Sequence, residues 1–285
     1  MTFTLSDNVE YGSDRSPSSA ISRQVWLGVL IMDTMNEVEV VLINWKRPEN
    51  IVKIVHALRN QTKSCTVTVC DCHPNQDFAL SSSIGSDIDR IYRWDHNTGP
   101  YSRYVPIGAF DHEFTFFLDD DMVPGIRCIE HFLDAAGRVG SFGVLGQLGR
   151  ILSTEGKYTG RDVPRWEGFA EVDVIVRGFF VRTENLSRML QFRWKALTSQ
   201  AELSQIEDDL LLCVAMKLSG GLSSFLTPED NDIETRMNKV ELPTPYALNH
   251  RPDHIRRRES FLSQMATIGW RSICAKNAFH STVDL

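Results

Sequence analysis

The chain has 285 residues, 42% hydrophobic and 24% charged, an ordinary globular composition with enough length for one large domain or two modest ones. A formal net charge of −7 argues against a surface built throughout for nucleic acid, although a local basic patch survives that average. Six cysteines include Cys70 and Cys72, two apart and so on one face of a strand, but no second close pair accompanies them. Reduced core cysteines are therefore expected rather than a zinc site.

Residues 1–36 read as a loose polar arm carrying Ser6, Ser13, Ser16, Ser18 and Ser19. Its best apolar run, Val25 to Met32, is far too short to span a bilayer, and no targeting segment stands out. A protein of the cytoplasm without a membrane span is expected. From Val38 the pattern becomes regular. Val38 to Asn44 reads as a buried strand, and Pro48-Glu49-Asn50 opens a helix to about Asn60 with Ile51, Ile54, Val55 and Leu58 on its inner face. Cys65 to Asp71 is a second strand ending in an acid, Asp89 to Trp94 a third, and Gly99 to Phe110 a helix. Phe114 to Leu118 is a fourth strand that runs straight into Asp119, Asp120 and Asp121.

Further on, Cys128 to Val139 suits a helix, Phe142 to Leu152 a strand, and Glu171 to Arg182 a strand broken near Gly178. Ser153 to Glu167, rich in glycine, charge and aromatics, reads as a loop over the site. Ser204 to Leu218 follows as a helix whose first turn carries Glu207, Asp208 and Asp209. This alternation predicts an α/β fold with a mainly parallel central sheet and helices on both faces, which binds ligands at the carboxyl ends of its strands. Residues 37–249 would form the catalytic domain and 250–285 a basic helical tail on or near the site.

Each acidic feature has two readings. The Asp119 to Asp121 triplet is either an acidic turn in solvent or a site where a hard cation, Mg²⁺ or Mn²⁺, relieves the repulsion between carboxylates. Asp208 and Asp209 either favour a helix dipole or do chemistry. Asp71 either caps a turn or faces a ligand.

VVLINWKRPENI at the first strand and helix, Asp71, FFLDDDMVP, RGFFVR and IEDDLLL together resemble nucleotide-sugar-dependent glycosyltransferases of the GT-A fold, nearest the exostosin-like enzymes and more distantly family 2. The resemblance covers Val38 to Asn249. It implies transfer of a sugar from a nucleoside-diphosphate sugar, a UDP-sugar being favoured, to the hydroxyl of a glycan or other acceptor. Asp121 is then the direct ligand of Mn²⁺ or Mg²⁺, Asp119 faces the ribose or reaches the metal through water, and Asp120 points away or assists at the donor. Asn44, Arg47 and Asp71 are expected at the base and ribose, and Arg103 at the diphosphate or on the surface. Asp208, with Asp209 one residue away, is expected at the acceptor hydroxyl. His250 is a candidate late metal ligand, and Arg251, Arg256, Arg257 and Arg258 form a basic patch. Trp166, Phe169, Phe179 and Phe180 flank the region, and Gly178 would let backbone approach the donor sugar. A sugar nucleotidyltransferase is the alternative, although NWKRPEN lacks the glycine-rich loop such enzymes carry after the first strand. An anionic acceptor such as modified DNA is the minority reading.

Overall fold

The computed structural model describes residues 37–72, 80, 82–94, 99–153, 157–163, 168–196, 207–228, 232–239 and 250–274. All of them belong to one compact unit, Thr34–Leu285. The N-terminal arm and Trp166 lie outside the described residues, and no described helix is long and apolar enough to cross a membrane.

Strand β1 (Val38–Asn44) is central. It pairs in parallel with β2 (Thr66–Asp71) on one side and β4 (Phe114–Leu118) on the other, and β3 (Arg90–Arg93) extends the parallel set beyond β2. On β4 the direction reverses, because β11 (Gly178–Arg182) pairs with it antiparallel. The sheet then continues through β6 (Leu145–Gly146), β12 (Ser224–Leu226) and β9 (Ala170–Val172), giving the order β3-β2-β1-β4-β11-β6-β12-β9. Small sheets of β10 (Val174–Ile175), β7 (Gly149–Ile151) and β8 (Arg161–Asp162), and of β13 (Met237–Lys239) with β5 (Met122–Pro124), complete the strands. The expected α/β architecture with a mainly parallel half is thus present.

Side-chain alternation at period two explains why the central strands are buried on both faces. Val38, Val40 and Leu42 join Val67, Val69, Phe114, Phe116 and Leu118 in one core cluster, covered by α1 (Pro48–Arg59) and α2 (Cys128–Val139). Val41, Ile43, Cys70, Phe117, Phe179 and Val181 form the other, covered by α3 (Thr183–Ala196), α4 (Asp208–Gly220) and α5 (His254–Thr267). The register sets Asn44 beside Asp71, so β1 and β2 finish level, and β4 delivers its acids at the same edge.

Three elements differ from their sequence reading. Phe142 to Leu152 is two short strands in different sheets, because a Cβ at Gly146 would stand 2.2 Å from Ile175 Cγ2 and one at Gly149 would stand 2.7 Å from the Val174 carbonyl oxygen. Such crowding fits a chain that crosses between sheets rather than one that runs on. The segment Glu171 to Arg182 breaks at Asp173 and again ahead of Gly178; Asp173 turns inward to accept the N–H groups of Leu152 and Ile273, both at 2.9 Å. Pro100–Ala109 is helical but of the tighter 3₁₀ form, with Pro106 inside it. Proline lacks the N–H that a continuing α-helix needs.

Candidate active site

The carboxyl ends of β1, β2 and β4 carry the site, and each of its acids is sorted by a partner from elsewhere in the chain. At the β1–β2 end, Asn44 Nδ2 donates to Asp71 Oδ1 at 2.9 Å, and Arg93 Nε lies 3.7 Å from Asp71 Oδ2. Both Asn44 and Asp71 are buried.

In the triplet, Asp119 and Asp120 diverge. Arg47, just ahead of α1, donates to Asp120 Oδ1 at 2.5 Å, and Asn50 in the first turn of α1 donates to the Asp120 carbonyl oxygen at 2.9 Å. Asp120 therefore faces the start of α1 and is buried there, and Arg47, expected at the base, spends its charge on it. Burial pushes the Asp120 carboxyl up to about 6, opposed by Arg47. Asp119 meets Arg103, whose Nη2 donates to its Oδ1 at 2.9 Å. The same guanidinium sets its Nε 3.3 Å from Asp208 Oδ2, and Tyr104 donates its hydroxyl to that oxygen at 3.4 Å.

Arg103 thus joins the strand-end acids to the first turn of α4. Burial works against its charge, but the carboxylates of Asp208 and Asp119 outweigh that and raise its pKa. Its face also lies 5.6 Å from the Phe179 ring centre. Being 3% exposed and held between two acids through Nη2 and Nε, Arg103 is not a surface arginine, and its Nη1 is buried without a hydrogen-bond partner. Burial likewise raises Asp119 and Asp208, against the pull of Arg103 in both cases.

Asp121 differs from its neighbours. It takes part in no ion pair among the described residues, and its Oδ1 is buried without a hydrogen-bond partner. A buried, unpaired carboxylate oxygen is costly unless a ligand satisfies it, and a hard cation bound through one protein carboxylate suits it. Among the described residues no three His, Cys, Asp or Glu side chains are arranged to enclose an ion. A cation here would complete its shell from phosphate oxygens and water. His250 stands exposed at the head of the C-terminal segment and makes no hydrogen bond or ion pair with these acids.

On the far side of α4, the basic patch is split. Arg251 and Arg257 pair with Asp253, while Arg258 on α5 is buried and reaches Glu207 at 3.0 Å and Asp209 by a short hydrogen bond. Its guanidinium also lies 4.1 Å from the Tyr158 ring centre. Arg258 precedes Phe261, Leu262 and Met265 by three, four and seven residues, all buried, so an arginine on that apolar face was the sequence signal for a buried ion pair. Burial raises Glu207 to about 8, with Arg258 opposing. An acid whose folded pKa exceeds its unfolded value holds a proton in the native state that the unfolded chain releases, so stability falls as pH rises from about 4.5 to about 8. Glu207→Gln removes that loss. Its melting temperature relative to the wild type should climb between pH 5 and pH 8, and parallel pH curves for the two proteins would contradict this.

Other flanking residues are differently placed. Phe179 and Phe180 are both core, and Phe169 packs on the α2 side with Arg138 5.2 Å from its ring centre. A Cβ at Gly178 would stand 2.3 Å from Met237 Sδ, so a methionine rather than a sugar occupies the space over that glycine. Just before it, Arg177 has φ 71°, and its carbonyl oxygen accepts the Asp119 N–H at 2.9 Å. That left-handed backbone costs a non-glycine residue roughly 1 to 2 kcal/mol and gives no sign of itself in the sequence.

No protein-family profile matches the chain, and no curated protein matches it. Among solved structures the chain is similar to a crystal structure of S. aureus TarS, at 17% identity and a TM-score of 0.48 over 68% of this chain and 37% of that one. It is also similar to TarS 1-349 in complex with UDP, at 16% identity and a TM-score of 0.46, covering 68% of this chain and 60% of that one. For the complex with UDP-GlcNAc the values are 15% and 0.46, over 72% and 62%. The chain spans less than two thirds of the length of each of these relatives.

Proposed function

We propose that the chain transfers a sugar from a nucleoside-diphosphate sugar to an acceptor hydroxyl. The observation that carries this reading is the single guanidinium of Arg103 shared between Asp119, at the end of β4, and Asp208, at the start of α4. Base-assisted sugar transfer is served by a cation at the departing diphosphate, which carboxylates can hold, and by a carboxylate base at the incoming hydroxyl. Here the two acids are joined through one rigid guanidinium.

In this reading Asn44 and Asp71 present a hydrogen-bonding edge to the base or ribose. Asp121, with Asp119 through water, would hold Mn²⁺ or Mg²⁺, which when bound neutralises charge growing on the diphosphate. Asp208 accepts the acceptor's proton as the sugar–phosphate bond breaks, while Arg103 and Tyr104 fix its orientation. Arg47 and Asn50 hold the turn that presents Asp121. Asp209, tied to Arg258 and to the Leu210 N–H at 2.8 Å, is left a structural part.

Incubation with Mn²⁺ and UDP-, GDP- and TDP-sugars tests the reading. Binding or slow hydrolysis of at least one donor is expected. Failure with the whole panel would sink it.

A further inference from the structure

Around the site, six carboxyl groups (Asp119, Asp120, Asp121, Glu207, Asp208, Asp209) face three arginines, and each of those arginines already has a carboxylate partner, although each keeps one buried nitrogen without a hydrogen bond. Arg47 is on Asp120, Arg103 on Asp119 and Asp208, and Arg258 on Glu207 and Asp209. A divalent cation would offset part of the surplus negative charge, yet a diphosphate brings more of its own. Such a ligand calls for a cation whose charge is not already spent.

Arg177 meets that requirement. Among the described residues its guanidinium has no carboxylate partner, and its one hydrogen bond is a long contact from Nη1 to Met122 Sδ at 3.8 Å. It borders the triplet on both sides: its carbonyl oxygen holds the Asp119 N–H, and its side chain lies against Met122, the residue after Asp121. The residue is partly exposed. Its φ of 71° is one that glycine adopts without strain, so the backbone alone gives no reason for a long cationic side chain here. A left-handed residue with a charged side chain beside a cluster of acids is the kind of outlier that points to function.

We propose that Arg177 is a binding residue for the donor's diphosphate, donating to phosphate oxygens beside Asp121. This rests on the donor reading above and adds to it the group that receives the phosphate charge. The guanidinium stays charged throughout, so it takes no proton in the transfer and acts by neutralising charge that the leaving group gains.

The test is calorimetric titration of Mn²⁺-pyrophosphate and of UDP, GDP and TDP with Mn²⁺ into the wild type, Arg177→Gly, Arg177→Gln and Arg177→Lys. Arg177→Gly and Arg177→Gln should weaken pyrophosphate and nucleoside diphosphate binding by about tenfold to a hundredfold, the usual worth of a hydrogen bond to a charged group. Arg177→Lys should recover part of the loss. Arg177→Gly should melt at or above the wild-type temperature, because glycine removes the strain, so its weaker binding is not a sign of misfolding. Equal affinities across the wild type, Arg177→Gly and Arg177→Gln would overturn the role of Arg177 and leave the donor reading standing. A wild type that binds no nucleoside diphosphate and no pyrophosphate would overturn both.

Discussion

Asp121→Asn is expected to lower metal-dependent donor turnover by about 10²- to 10³-fold, the effect of losing one preorganised charge-stabilising group. The expectation rests on how the triplet is divided. Asp119 and Asp120 are each held by an arginine, whereas Asp121 has a buried oxygen with no hydrogen-bond partner. Asparagine keeps the shape but not the charge, and it also removes repulsion from the two neighbouring acids. The variant should therefore fold and melt no lower than the wild type while binding Mn²⁺ and donor together far more weakly. Asp120→Asn should do the reverse: breaking the buried pair with Arg47 strands a guanidinium and costs stability, on the order of 3 to 5 kcal/mol. Full donor turnover by Asp121→Asn would show that the triplet is not where a metal acts.

The second large effect is expected at Asp208. Asp208→Asn should reduce transfer to acceptor by about 10²- to 10⁴-fold, the range for a lost general base, with donor affinity little changed. Separate measurement of donor binding and of transfer resolves the two. Asp209→Asn is the control: Asp209 is occupied by Arg258 and the Leu210 N–H, so its loss should appear in the melting temperature before it appears in turnover. If Asp209→Asn abolished transfer and Asp208→Asn did not, the two roles would be exchanged.

The pH dependence follows from the same burial. Asp208 must be ionised to take a proton, and burial raises its pKa while Arg103 resists. Turnover should therefore fall on the acid side at a pH above the ordinary aspartate value. Removing the resisting charge by Arg103→Gln should move that limb to higher pH. An unchanged limb in that variant would argue against Asp208 as the titrating base.

Much of the frame was legible in the chain because its signals are local. Val38–Asn44, Phe114–Leu118 and Cys128–Val139 occur where alternation and helical periodicity put them, and Pro48 opens α1 as proline at a first helical turn does. The acids at a strand's carboxyl end were equally plain, since FTFFL runs into DDD without a break. Less visible were the points where the chain leaves one sheet for another, at Gly146 to Gly149 and again at Asp173, because the crowding at the glycines comes from Ile175 and Val174 in another strand, and the N–H groups that draw Asp173 inward belong to the distant Leu152 and Ile273.

Charge pairing was far less legible: the position of Arg258 on an apolar helix face marked it as buried, but no local signal named its partners. A sequence names its acids and arginines, but whether a guanidinium meets solvent, a phosphate or a buried carboxylate depends on which side chains the fold brings within about 4 Å. Arg47 reaches Asp120 across 73 positions and Arg258 reaches Asp209 across 49. Those pairings give Arg47 and Arg103 internal carboxylate partners, whereas Asp121 and Arg177 take part in no ion pair among the described residues. By itself the sequence determined that acids would be presented at the edge of a mainly parallel sheet, because periodicity and strand ends are written in neighbouring residues. Which of those acids is free to bind anything was decided only by the tertiary structure, because burial and long-range electrostatics belong to the folded chain and to no segment of it.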